Sequence, residues 1–261
     1  LNGLRALASF LSGAVIGTLG GLIGLGGAEF RLPLLVGAFR FAVLDAVILN
    51  KAMSLVVVAA ALPFRAGAVP LGLVAANGTV IVNLLAGSLL GAWIGAGWAV
   101  RMDAARLHRV IALLLVLIAG VLLFGHGAAG GGAPAVGGLA LVAAGTAAGF
   151  AIGVVASILG VAGGELLIPT LVLLFGVDVK LAGSLSLAIS LPTMIAGFSR
   201  YARDRSLSVL ARNRGFVLLM AAGSLAGAFI GGRLLGVVPE SVLLPALSAI
   251  LLLSAAKMWR H

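Results

Sequence analysis

Glu29 and Glu165 are two of only seven acidic residues in this 261-residue chain, and each directly follows a run rich in glycine. The first run is GGLIGLGGAEFRLP from Gly20, and the second is ASILGVAGGELLIP from Ala156. Glycines let the backbone turn sharply and let a ligand approach it closely. Each run leads into a short apolar segment, and the first amides of a helix, with its dipole, favour an anion. Gly26, Gly27, Gly163 and Gly164 are therefore expected to line an anion site with their backbone. A carboxylate in the same place repels an anion unless it carries a proton. Glu29 and Glu165 are expected to take up a proton with the anion; the simpler role is a carboxylate satisfying free amides at a helix start.

A second group of polar residues lies inside apolar sequence. Lys51, in ILNKAMSL, is too deep in its segment to snorkel easily to a surface. It has two readings, an anion ligand or an ion-pair partner of Glu29 or Asp45. Asn50 and Ser54 are four apart and share a helix face, and Ser186, Ser190 and Thr193 form a similar stripe later in the chain. Such hydroxyls often only bond across helices. Two matched stripes beside two glycine breaks are better explained as the lining of one central site. Pro192 is expected to bend its helix and free a carbonyl. Arg31, two residues after Glu29, is expected either to pair locally or to reach a wet cavity.

The elements that must carry these residues follow from composition. The chain is 62% hydrophobic and 9% charged, with a mean hydropathy of +1.27. Soluble domains are closer to one quarter charged, so this is an all-α, polytopic membrane protein. About 20 helical residues span a bilayer core. Segments are expected at 4–23, 28–39, 44–64, 71–99 and 106–124, then at 136–159, 164–176, 180–199, 213–236 and 239–258. Segments 28–39 and 164–176 are too short to cross alone and read as broken or re-entrant helices. Residues 125–135 form a glycine-rich hinge between a first membrane repeat, 1–124, and a second, 136–261.

The halves align without a gap at an offset of 136. Glu29 and Pro33 fall on Glu165 and Pro169, Asn50 on Ser186, Ser54 on Ser190, and Asn77 on Asn213. GSLLGAWIG from Gly87 falls on GSLAGAFIG from Gly223. Lys51, by contrast, falls on Leu187. Five segments per half is odd, so the repeats are expected to be inverted. Twelve basic residues, among them Arg5, Arg101, Arg200 and Arg260, then share one side, against Arg65, Lys180 and Arg233 on the other. That bias puts both termini in the cytoplasm. Trp98, Tyr201 and Trp259 beside the basic connections read as interfacial aromatics.

The net charge of +10 does not indicate nucleic acid, because the basic residues lie in short connections. The chain starts at Leu1 rather than Met, so preceding sequence is expected; the stretch 4–23 reads as a first membrane segment, not a cleaved leader. With no Cys, no metal-spaced cluster and no phosphate-binding loop, no cofactor or metal is expected. No nucleophile, base and orienting group occur together, so no enzyme is expected. The four-residue glycine ladders Gly87, Gly91, Gly95 and Gly223, Gly227, Gly231 read as packing seams within a subunit or across a homodimer.

At these residues the chain resembles the TauE/SafE sulfite exporters, also grouped as toluene-sulfonate uptake permeases. The resemblance lies in the glycine break followed by proline in both halves, the Asn50–Lys51 pair, and SLSLAISLPT from Ser184. It departs at Ala28, where a further glycine is expected, and at Leu49, where threonine is common. The resemblance implies a bacterial inner-membrane carrier of sulfite or an organosulfonate such as sulfoacetate. An anion channel, or a cation- or proton-coupled exchanger using Glu29 and Glu165, are the alternatives.

Overall fold

The computed structural model describes residues 3–23, 27–65, 69–124, 134, 137–204, 206–233 and 240–259. Among them are twelve α-helices and no strand. In order they are α1 (Gly3–Ile23), α2 (Ala28–Gly37), α3 (Val43–Arg65), α4 (Leu71–Ala76), α5 (Gly78–Arg101) and α6 (Ala104–Phe124). Then follow α7 (Gly138–Leu159), α8 (Gly164–Phe175), α9 (Val179–Asp204), α10 (Ser206–Arg212), α11 (Arg214–Arg233) and α12 (Glu240–Trp259). Six stretches are long and apolar enough to cross a bilayer, within α3, α5, α6, α7, α9 and α11. The expected hinge lies outside the described residues apart from Pro134, as does Gly26.

The protein is turned inside out relative to a soluble fold. Leu4 and Leu139 are 86% and 89% exposed, whereas Glu29, Arg31, Lys51 and Glu165 are buried. Exposed leucine suits lipid, where apolar surface carries no penalty, and the polar groups are held in the protein interior.

One expected segment is divided in two. The apolar run 71–99 is two helices, α4 and α5, divided at Asn77. Its side-chain Nδ2 donates to Leu73 O at 2.9 Å, closing the end of α4. Asn213 does the same between α10 and α11, donating to Val209 O at 2.9 Å. An asparagine that bonds four residues back offers the main chain an alternative to continuing the helix. An apolar run gives no warning of this.

Helix packing comes in exchanged pairs. α1 packs on α11 and α5 packs on α7, so moving each helix by 136 residues turns one pair into the other. α3 packs on α9 and α6 on α12, each against its own counterpart. The closest seams are lined by the glycine ladders. A side chain on Gly87 or Gly91 would strike the main chain of Thr146 or Phe150 in α7. One on Gly223 or Gly227 would strike Phe10 or Ala14 in α1. These seams lie within one chain, as membrane helices driven together by backbone approach require.

Candidate functional site

The centre is built around the starts of the two short helices. Gly27 precedes α2 with φ 69°, and Gly163 precedes α8 with φ 82°. Both are left-handed, a conformation that costs an L side chain about 1–2 kcal/mol. Neither helix start has a side-chain cap. Glu29 and Glu165 occupy the first turns, both buried, and are close enough across the two halves for each carboxyl to act on the other. Glu29 Oε1 and both Glu165 oxygens have no hydrogen-bond donor among the described residues. In each helix a proline stands four residues after the glutamate, Pro33 and Pro169. Proline has no N–H to return to that glutamate's carbonyl.

Asn50 ties both breaks together. Its Nδ2 donates to Ala28 O at 3.0 Å, at the start of α2, and to Leu159 O at 3.1 Å, at the end of α7. Ser190 does the equivalent work for the second break, donating to Ala162 O at 2.8 Å. Buried carbonyls left without donors cost about 1–3 kcal/mol each, so these two side chains hold the irregular backbone at depth.

Arg31 is wholly buried, and it does not pair locally. Residues two apart leave a helix on nearly opposite sides, so Glu29 turns to Glu165 and Arg31 turns to α3 and α11. Its Nη1 donates to Asn50 Oδ1 at 3.3 Å and Ser54 Oγ at 3.2 Å, and its Nη2 to Ser224 Oγ at 3.2 Å. Ser54 Oγ in turn donates to Asn50 O at 2.7 Å.

Lys51 is also wholly buried, one position along α3 and facing another way. Its Nζ donates to Ser157 Oγ at 3.2 Å. A side chain on Gly197 would come within 2.9 Å of that nitrogen, so α9 leaves room for the ammonium by having none there. Arg106 pairs with Asp103 at the surface, whereas Lys51 has no ion pair among the described residues. The reading of Lys51 as an ion-pair partner of Glu29 or Asp45 is not met there.

The remaining expected residues are buried but divided. Thr193 Oγ1 lies 2.7 Å from Ser88 Oγ on α5 and donates to Ile189 O at 2.8 Å. Ser186 Oγ turns back onto Gly183 O of its own helix at 2.9 Å. Gly164 opens α8 and is buried. Tyr201 is a correction: it is no interfacial aromatic but is fully buried, its hydroxyl donating to Ser157 O at 2.9 Å. Trp98 and Trp259 are exposed. Sequence reasoning passed over Ser88, Ser157 and Ser224. Ser88 and Ser224 did carry a signal, since both stand beside a ladder glycine at the same repeat position.

Apolar helices around a charged, hydrogen-bonded centre define a multi-pass membrane protein. Within it, residues 2–123 match the model of the family described as Sulfite exporter TauE/SafE. This is the family the motifs resemble, and the matched stretch contains the first break, Glu29, Arg31 and the Asn50–Lys51 pair. No curated protein and no solved structure matches the chain.

Proposed function

We propose that the protein is a secondary transporter of a small sulfur-containing oxyanion, sulfite or an organosulfonate such as sulfoacetate. One observation carries the reading. Two uncapped helix starts, one from each half, meet at a centre where Lys51 and Arg31 are buried without a carboxylate ion pair among the described residues. Buried cations are costly unless an anion accompanies them, and helix starts favour the same charge. Sulfite and sulfonates offer several acceptor oxygens to such donors. The family description matched by the first half points to the same substrate class.

The transport cycle follows from the repeat. Residues 3–124 and 138–259 act as inverted repeats that rock about the central site, opening it to each side in turn. Gly27, Gly163 and Gly164 present backbone to the anion and Lys51 supplies a side-chain donor, while Asn50, Ser54, Ser186, Ser190 and Thr193, whose own donors go to carbonyls, line the site and hold its shape. Residue 26 belongs to the same break. The Glu29–Glu165 pair carries one proton between its carboxyls when the anion enters, which removes the like-charge repulsion. Both termini face the cytoplasm of a bacterial inner membrane, because the basic residues gather on that side.

A second reading is favoured by the glutamate oxygens that lack donors. In it the pair binds a cation and the protein is an exchanger. Binding separates the two. Sulfite or methanesulfonate should raise the thermal unfolding temperature of the purified protein in detergent at constant ionic strength. A temperature raised by sodium or potassium and indifferent to both anions would favour the exchanger.

A further inference from the structure

Arg31 keeps an unused donor at Nε. A guanidinium has five N–H groups. Three acceptors, Asn50 Oδ1, Ser54 Oγ and Ser224 Oγ, occupy Nη1 and one N–H of Nη2. Nε has no partner among the described residues, although it is buried. Nε and Nη2 lie on the same edge of the planar group, the edge with which arginine grips two oxygens of one anion at once. The clamp of three neutral acceptors fixes the plane, and the Glu29 carboxyl acts on the guanidinium only from beyond ion-pair distance.

The second repeat acts as an internal control. The position equivalent to Arg31 is Leu167, which is buried in an apolar cluster. The equivalent of Ser224 is Ser88, which is bonded to Thr193 instead. The fold therefore accommodates this corner without a cation. A guanidinium on one side only, at a depth where it cannot reach water, points to a ligand rather than to packing.

We infer that Arg31, through its Nε–Nη2 edge, is the residue that selects a multi-oxygen anion over a monatomic one, with Asn50, Ser54 and Ser224 as positioning residues. The inference rests on the oxyanion reading above and goes further by naming the group that recognises the substrate's shape. Lysine at position 31 keeps the charge but loses the planar fork, so it should bind any anion as a point charge.

The test is calorimetric titration of the purified protein in nanodiscs with sulfite, methanesulfonate and chloride. Wild type should prefer both sulfur anions to chloride. Arg31→Lys should weaken them about tenfold and leave chloride little changed, so the preference collapses. Arg31→Leu copies the second repeat and should lose all three. Ser54→Ala with Ser224→Ala keeps the arginine but frees its plane, and should reduce the preference while the protein stays monodisperse. This last variant decides the matter if the Arg31 variants do not fold. A wild-type preference retained in Arg31→Lys, or in the double serine variant when the Arg31 variants do not fold, overturns the role of Arg31 alone. Failure of wild type to bind either sulfur anion overturns the oxyanion reading and this one with it.

Discussion

Glu29 and Glu165 are buried close enough for their carboxyls to act on each other, each in the first turn of a short helix and each four residues ahead of a proline. Two acids placed so symmetrically hold one proton more readily than two negative charges. Replacing both with Gln keeps the shape and removes the proton exchange. The double variant should transport without responding to an imposed pH gradient. Flux into proteoliposomes with and without that gradient checks it, and an undiminished response in the double variant would remove the glutamates from coupling.

Lys51 and Lys180 form a second contrast. Lys51 is buried on α3, and Lys180 is exposed near the start of α9. Lys51→Ala should weaken sulfite binding about tenfold, and Lys180→Ala should change it little. Equal loss from both substitutions would make the Lys51 ammonium structural.

Asn50 should matter for stability before it matters for transport. Asn50→Ala leaves the carbonyls of Ala28 and Leu159 without that donor and Arg31 Nη1 without one acceptor. At about 1–3 kcal/mol for each group left unsatisfied, the loss should be several kcal/mol in total. Asn77→Ala removes an exposed bond at the end of α4 and should cost about 1 kcal/mol or less. Thermal unfolding of both variants in the same detergent measures the difference.

The glycine seams make a sharper prediction. Gly91→Val and Gly227→Val each push a side chain into the main chain of the facing helix, at Phe150 or Ala14. Overpacking against a side chain costs about 1–3 kcal/mol, and backbone yields less. Both variants should express poorly or lose their monodisperse peak. Gly72→Val, where an added side chain meets nothing, should behave as wild type.

Much of this arrangement was legible in the residues. The glycine breaks, the short helices, the buried glutamates and the 136-residue offset all follow from spacing and apolar length. Helix starts and ends in the second half repeat those of the first at nearly that offset, as α2 and α8 show at residues 28 and 164. Arg31 was harder, because a cation two residues from a carboxylate looks like a local pair until the helix geometry sends them to different neighbours. Tyr201 was misplaced for a related reason. The segment expected to stop at 199 continues to Asp204, so the tyrosine is still inside the packed helix and not at its mouth. The breaks at Asn77 and Asn213 were visible only as matching letters, since a capping bond depends on a side-chain rotamer that hydropathy does not encode.

The most direct test of the central claim is uptake of radiolabelled sulfite and methanesulfonate into proteoliposomes, with the outside made more acidic than the lumen. A proton carried with the anion is driven inward by that gradient. Saturable uptake, accelerated by outside acid and absent from empty liposomes, is the predicted result. Folded, inserted protein that moves neither anion would contradict the account.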